Sequence, residues 1–258
     1  MATAFTAQTS MPRRFSAASP LLSICLYSDI QCRLVFGFRP CDNVIYQIWR
    51  RSSVLQTSQS HLAYLALEHL IVTLALKPGA LVTEKQLIDM AGHGRTPVRE
   101  AIQKLAWQGL ILVKPRVGLQ VAEIAPDDHG NVMQVRRELE PIAASLVAEH
   151  ASDDQRARLN DCARAMEECA VTGDLAGFFA ADKAFDEILE DACPNGFITA
   201  ALGPVQTHSR RLWYSKASPE RTDRAIALHV AVIRAIHQGR PDEARAAMAV
   251  LIDYLSQT

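Results

Sequence analysis

Arg95, Arg99 and Gln103 recur at four-residue steps in the string Arg95-Thr96-Pro97-Val98-Arg99-Glu100-Ala101-Ile102-Gln103-Lys104-Leu105. On a helix this spacing puts the three in one row, while Val98, Ala101, Ile102 and Leu105 fall on an apolar face. The chemistry open to such a row is base reading. Arginine offers two hydrogen bonds to guanine O6 and N7 or grips a phosphate, and glutamine pairs with an adenine edge. Pro97 fits only a first helical turn, where its missing amide leaves no carbonyl unpaired. The helix therefore starts at Gly94 or Arg95, and both arginines sit near its N-terminus, the end that usually meets the bases.

The elements needed to position that helix surround it. From His61 to Leu76, the apolar residues Leu62, Leu65, Leu67, Leu70, Ile71 and Leu74 predict an amphipathic helix, closed by Lys77-Pro78-Gly79. Thr83 is placed to cap a second helix from Glu84 to Ala91 that buries Leu87, Ile88 and Met90. Gly92-His93-Gly94 then turns the chain into the recognition helix. After Gly109, the runs Leu110 to Val113 and Leu119 to Val121 read as two short strands. Between them, Lys114-Pro115-Arg116-Val117-Gly118 forms a basic hairpin tip within reach of a phosphate or minor groove. This order of elements is a winged helix-turn-helix.

The chain has 258 residues and a formal net charge of −1. Its length suits two domains plus an extension, and its hydrophobic content of 49% is enough to fill their cores. A net charge near zero argues against sequence-blind coating of nucleic acid. It does not exclude a local basic patch, and Arg95, Arg99, Lys104, Lys114 and Arg116 supply one against Glu100. No run is long and apolar enough to cross a membrane, so no membrane partner is expected and a cytoplasmic location is. The six cysteines (Cys25, Cys32, Cys41, Cys162, Cys169, Cys193) lack zinc-finger spacing. Cys162 and Cys169, on one helix, read as reduced packing residues.

Residues 1–56 share none of this periodicity. They read either as an extension upstream of a native start near Val54, or as a disordered arm that touches DNA through Arg50 and Arg51 beside Trp49. Beyond Ala125-Pro126-Asp127-Asp128 the chain reads as all-helical, with runs from Val132 to His150, Ser152 to Val171, Leu175 to Ala192 and Thr222 to His237. The fold class is therefore mostly α. A winged helix-turn-helix of three helices plus a small β-hairpin spans 57–124, and an all-α domain spans 127–258.

Leu81 to Leu87, Gly92 to Leu105, Gly109-Leu110 and the wing ending in Gly118 resemble the GntR family of bacterial transcription factors, in its FadR-type branch. The resemblance implies that Arg95, Thr96 and Arg99 contact operator DNA, that Lys85 stands where an arginine is frequent, and that the wing reaches the minor groove near Gly118. Gly94 departs from the family's usual Ser or Thr cap. Glycine caps nearly as well, so the cost is about a few tenths of a kcal/mol. Arg136 to Glu140, Asp182 to Asp186, Asn195, His229, Ala235-Ile236 and Ala244 to Met248 are similar to the effector-binding and dimerisation domain called FCD. That likeness implies an antiparallel helical bundle around a polar cavity, with about six helices at the length of 127–258.

Many FCD domains hold a divalent metal with one Asp and three His. Carried over by position, these ligands become Asp182, Asp186, His229 and Leu251. Asp182 and Asp186 lie at i and i+4, so both can face one point. With His229 they would suit Zn, Mn, Ni or Fe, bound more weakly than by the full set. The other reading is a metal-free pocket in which the same groups bind the ligand or each other, and Leu251 favours it. Arg136 can neutralise a carboxylate effector or pair with a bundle acid. Asn195 is either a pocket residue or an ordinary helix punctuation. His208, Arg210, Arg211, Trp213 and Tyr214 mix cations and aromatics that either line the cavity or pack.

Three functions compete on these grounds. The leading one is a ligand-responsive regulator: a homodimer that reads an inverted-repeat operator in double-stranded DNA and is released by a small organic acid. A metal-dependent hydrolase lacks an accompanying nucleophile or base in the sequence. An architectural DNA-binding protein fits poorly with the charge balance and a separate pocket domain.

Overall fold

The computed structural model describes residues 58–257, which all fall within one compact unit. The expectations for residues 1–56 lie outside the described residues.

Helix α1 (Gln59–Val72) opens on Ser58, whose side chain accepts a hydrogen bond from the His61 amide. It stops short of the Leu76 expected from hydrophobic spacing, because Leu74 takes a left-handed φ of 60° that no helix continues through. Strand β1 (Leu81–Val82) follows, and then α2 (Glu84–Ala91), started by a reciprocal capping box between Thr83 and Gln86. Within α2, Leu87 is buried as expected, but Ile88 is only half-buried and Met90 is exposed. An eight-residue helix has one narrow inward stripe, and these two lie beside it rather than on it. Gly92, at φ 66°, makes the left-handed turn toward the next helix.

Helix α3 (Arg95–Trp107) begins at Gly94 without a side-chain cap. It buries Val98, Ala101, Ile102 and Leu105, the seam predicted from spacing, largely against α1. Strands β2 (Ile111–Lys114) and β3 (Gly118–Val121) pair antiparallel with Lys114 opposite Gly118. The two-stranded wing gains a third strand: β1 pairs with β3 through Val82 and Leu119, giving the order β1-β3-β2. At two residues, β1 is too short to show alternation in sequence.

Six helices complete the chain: α4 (Asp128–His150), α5 (Asp153–Thr172), α6 (Leu175–Ala192), α7 (Gly196–Tyr214), α8 (Pro219–His237) and α9 (Pro241–Ser256). Helix α4 starts four residues before Val132. The Asp128 carboxylate accepts from the Ala125 amide at 2.7 Å and pulls the linker into the first turn. Ser152, Asp174 and Ser218 cap α5, α6 and α8 through their side chains. Helix α4 packs on α9 and α7, while α5 packs on α6 and α8. Phe178, Phe185, Leu159, Met166, Val232, Ile236 and Leu251 are buried between them, each side chain of this kind contributing about 1.5–3 kcal/mol by leaving water. Cys162, Cys169 and Cys193 are buried. Among the described residues no helix is long and apolar enough to cross a membrane.

Candidate functional site

The winged domain presents a basic face. Arg95, Thr96, Arg99 and Gln103 are exposed along α3, Lys85 is exposed on α2, and Lys114 and Arg116 stand on the exposed wing tip. One acid gathers the two arginines: Arg95 Nε lies 3.0 Å from Glu84 Oε1, and Arg99 Nε lies 2.9 Å from Glu84 Oε2. Hydrogen bonds from Arg99 and Arg95 hold the Glu84 carboxyl below its ordinary range. Both guanidiniums stay open to solvent, Arg95 at 73% and Arg99 at 58%. The carboxylate therefore fixes where they point without taking all their donors. Gly118 has φ 127°, and a Cβ there would stand 3.4 Å from the Val82 carbonyl oxygen, so this glycine lets the wing lie against β1. Lys104 turns away from the reading row and caps the Tyr64 ring at 3.8 Å.

The bundle holds a partly open polar cleft. Arg210 lies at its centre, with Nε 2.9 Å from Asp182 Oδ2 and Nη2 2.6 Å from Asp186 Oδ2. His229 Nε2 is 3.1 Å from the other Asp182 oxygen, and its Nδ1 is 2.8 Å from the Ala225 carbonyl oxygen. A carbonyl can only accept, so Nδ1 carries a hydrogen, and a carboxylate opposite Nε2 favours a hydrogen there too. Burial opposes the imidazolium, but the hydrogen bond and charge of Asp182 outweigh it and raise the His229 pKa. Burial also works against the Asp182 carboxylate, yet His229 and Arg210 hold it well below the usual range. Asp186 goes the other way, pushed up by burial and by the neighbouring Asp182 charge.

Arg136 lines the same cleft, with Nε 2.7 Å from Glu140 and Nη1 2.6 Å from Ser209. Phe178 and Trp213 form an aromatic wall, their ring centres 5.6 Å apart. The buried indole N–H of Trp213 meets no partner among the described residues, a vacancy that ordinarily costs about 1–3 kcal/mol.

Asp182, Asp186 and His229 thus come together, but not as a metal set. Their oxygens converge on Arg210, the histidine nitrogens both engage acceptors, and a divalent ion between the carboxylates would sit against a guanidinium. These residues do not fit a resident divalent metal. Leu251 lies in the bundle core rather than on the cleft wall. Asn195 is also misplaced as a pocket residue. It is exposed, and its side chain accepts from the Phe197 and Ile198 amides as the cap of α7. The punctuation reading is the one the structure gives.

Glu68 went unnoticed in the sequence. It sits on α1, buried, where Thr207 Oγ1 donates to it at 2.8 Å, Tyr64 donates at 2.9 Å and Lys183 pairs with it. Burial alone would raise its carboxyl, but Lys183 and Arg210 together pull it down to about 2. Two more contacts bind α7 to the winged domain: His208 Nε2 lies 2.8 Å from the Gln108 carbonyl at the end of α3, and Arg211 donates to the Ala122 carbonyl beyond β3. The intervening α7 residues Gln206, Ser209 and Arg210 line the cleft. One helix thus touches the pocket with one set of side chains and the winged domain with the next.

The family of bacterial regulatory proteins called gntR matches residues 59–121, and the FCD domain matches residues 131–254. An HTH-type transcriptional regulator from a ttuE–ttuC' intergenic region of Agrobacterium vitis is 32% identical over 140 residues, covering 53% of this chain and 82% of the relative. A protein of Paenarthrobacter nicotinovorans described as a probable D-xylose utilization operon transcriptional repressor is 29% identical over 174 residues, 66% of this chain and 75% of its own. Among solved structures, Escherichia coli McbR/YncC superposes with a TM-score of 0.66 at 21% identity, covering 76% of this chain and 94% of that one. At that identity the likeness speaks for the fold.

Proposed function

Because the chain belongs to the GntR family of bacterial transcriptional regulators and carries an FCD domain, we propose that it is a ligand-released repressor that reads an inverted-repeat operator as a homodimer. On the DNA side, Arg95 and Arg99 exchange the Glu84 carboxylate for guanine edges or phosphates, with Thr96, Gln103 and Lys85 alongside. Exposed ion pairs are worth little, so this exchange costs little. Lys114 and Arg116 on the wing add phosphate contacts, with Gly118 bringing the wing close to β1. Two copies would place two recognition helices on successive major-groove faces, which is the reason to expect an inverted repeat.

On the ligand side, a small organic acid suits the cleft. Arg136 and Arg210 supply fixed positive charge, Trp213 an unused donor, and the aromatic wall an apolar surface. The observation that carries the reading is the double role of α7. A ligand that draws Arg210 or Ser209 toward itself shifts the same helix that holds Glu68, Gln108 and Ala122 of the winged domain. Ligand occupancy and the placement of α3 are then biased by one element, as coupling between sites requires. The P. nicotinovorans relative's description as a repressor supports the sign of the response.

Footprinting on DNA flanking the gene, with scrambled competitor DNA in excess, tests the proposal. It calls for a protected inverted repeat occupied by two chains in sedimentation. Uniform protection without sequence preference, or one chain per site, would count against it.

A further inference from the structure

Asp182, Asp186 and His229 form a receptor for a cation, and the cation in it is a side chain. We propose that Arg210 is the resident cation of this pocket, standing between Asp182 and Asp186 in place of a divalent metal, so that a carboxylate ligand is received by guanidinium and indole donors with no metal bridge. The ligand half of this statement rests on the pocket reading above; the cation half does not.

Four observations carry it. The guanidinium reaches both carboxylates at hydrogen-bonding distance, 2.9 Å to Asp182 and 2.6 Å to Asp186. Those are the two oxygen donors that a metal would need first, and they are already spoken for. The second Asp182 oxygen is taken by His229 at 3.1 Å, while the other nitrogen of that ring faces the Ala225 carbonyl, so no imidazole lone pair points at the space between the carboxylates. Arg136 adds a second guanidinium on the same cleft, fixed by Glu140 and Ser209. With Arg136 and Arg210 already paired to Glu140, Asp182 and Asp186, these acids keep little uncompensated negative charge with which to draw a dication. The unpartnered indole N–H of Trp213 then matters, because a donor with no protein acceptor suits an anionic ligand and does nothing for a metal.

Arginine here performs the part of a metal that concerns binding: a localised positive charge held in place by two acids and able to accept an anion on its remaining face. It does so without dependence on ion supply, and its planar fork fixes the orientation of a bound carboxylate. Deleting the guanidinium should leave Asp182, Asp186 and His229 facing a common void. Once His229 Nε2 gives up the proton it shares with Asp182, the site becomes the oxygen and nitrogen set that borderline divalent ions accept.

The test uses the full chain and metal ions alone. Melting curves and calorimetric titrations with Zn, Ni and Mn salts, against chelator, compare the unmodified protein with Arg210→Ala and Arg210→His. The unmodified protein should melt at the same temperature with metal and chelator and take up no stoichiometric ion. Both variants should melt lower in chelator and recover several degrees in metal, binding one ion per chain, and Asp182→Ala added to either should cancel the gain. Arg210→Lys, which keeps the charge, should stay indifferent to metal. If the alanine variant does not fold, Arg210→Gln makes the same comparison at nearly unchanged bulk. A tightly held equivalent of metal in the unmodified chain overturns the proposal, and so does a set of uncharged variants that gains nothing from metal. Loss of operator binding by the unmodified chain would be a failure of the regulator reading and would leave the metal titrations as they stand.

Discussion

The winged domain and the bundle both pair arginines with carboxylates, and they use the pairing for opposite ends. On α3, the exposed Arg95 and Arg99 share the half-buried Glu84, and water competes with every bond they make. In the bundle, Arg210 is shared by the sheltered Asp182 and Asp186, whose side chains are only 16% and 10% exposed. The first arrangement is cheap to break, which suits the proposed exchange of one anion for another on meeting DNA. The second has already lost its hydration, so removing one member strands the others. The same chemical pair is a switchable orienting device at the surface and a structural keystone inside.

The largest expected effect tests the buried member. Arg210→Ala should destabilise the folded chain by about 3–5 kcal/mol, read from urea denaturation in chelator, because two carboxylates lose their partner in a poorly hydrated cleft. A loss no greater than that of a surface substitution would make the two regions alike and remove the contrast.

Next comes Glu68, the buried acid that ties α1 to the bundle. Its folded carboxyl sits at about 2 against an ordinary 4.5. A depressed carboxyl contributes fully above its unfolded value and loses that contribution as pH falls through the folded one. The wild type should therefore weaken as pH drops from about 4.5 toward about 2, giving up roughly 2–3 kcal/mol. Glu68→Gln should carry that loss already at neutral pH and show a flatter acid limb in melting curves. Parallel acid limbs in the two proteins would place the ionised group elsewhere.

Effects at the surface should be smaller and should appear in DNA binding rather than stability. Lys114→Ala should weaken specific and non-specific DNA alike and reduce the slope of log affinity against log salt by roughly one unit. Glu84→Gln, the smallest, should leave folding unchanged and tighten DNA slightly at low salt, since it removes an anion that competes with phosphate for Arg95 and Arg99. A marked loss of DNA binding would show that Glu84 orients those arginines more than it competes with them.

How far the sequence foretold this molecule depended on whether a feature was local. Helix α3 was legible nearly to the residue because Pro97 marks its first turn and Val98, Ala101, Ile102 and Leu105 mark its seam. Four of the bundle's six helices followed from periodicity and caps such as Asp174, while α7 and α9 had no run of their own in that reading. Helix α1 was read too long because Leu74 continues the apolar spacing, while its φ of 60° is imposed by the turn beyond. Strand β1 left no local trace, since its pairing with Leu119 and Gln120 is what makes it a strand. Side-chain networks were least visible. Glu68 looks like one more solvent-facing acid until α1 meets partners 115 and 139 residues away in Lys183 and Thr207. The metal expectation came from carrying the FCD ligand set over position by position, and that could not place Arg210 among them.

The most direct test of the regulator account is a titration of wild type and Arg99→Ala, at one fixed salt concentration, on the footprinted operator and on a scrambled sequence. The account predicts that Arg99→Ala loses about 1–3 kcal/mol on the operator. On scrambled DNA it should lose far less, and its urea midpoint should stay within experimental error of the wild type. Operator affinity equal to that of the wild type would contradict the assignment of α3 as the reading helix.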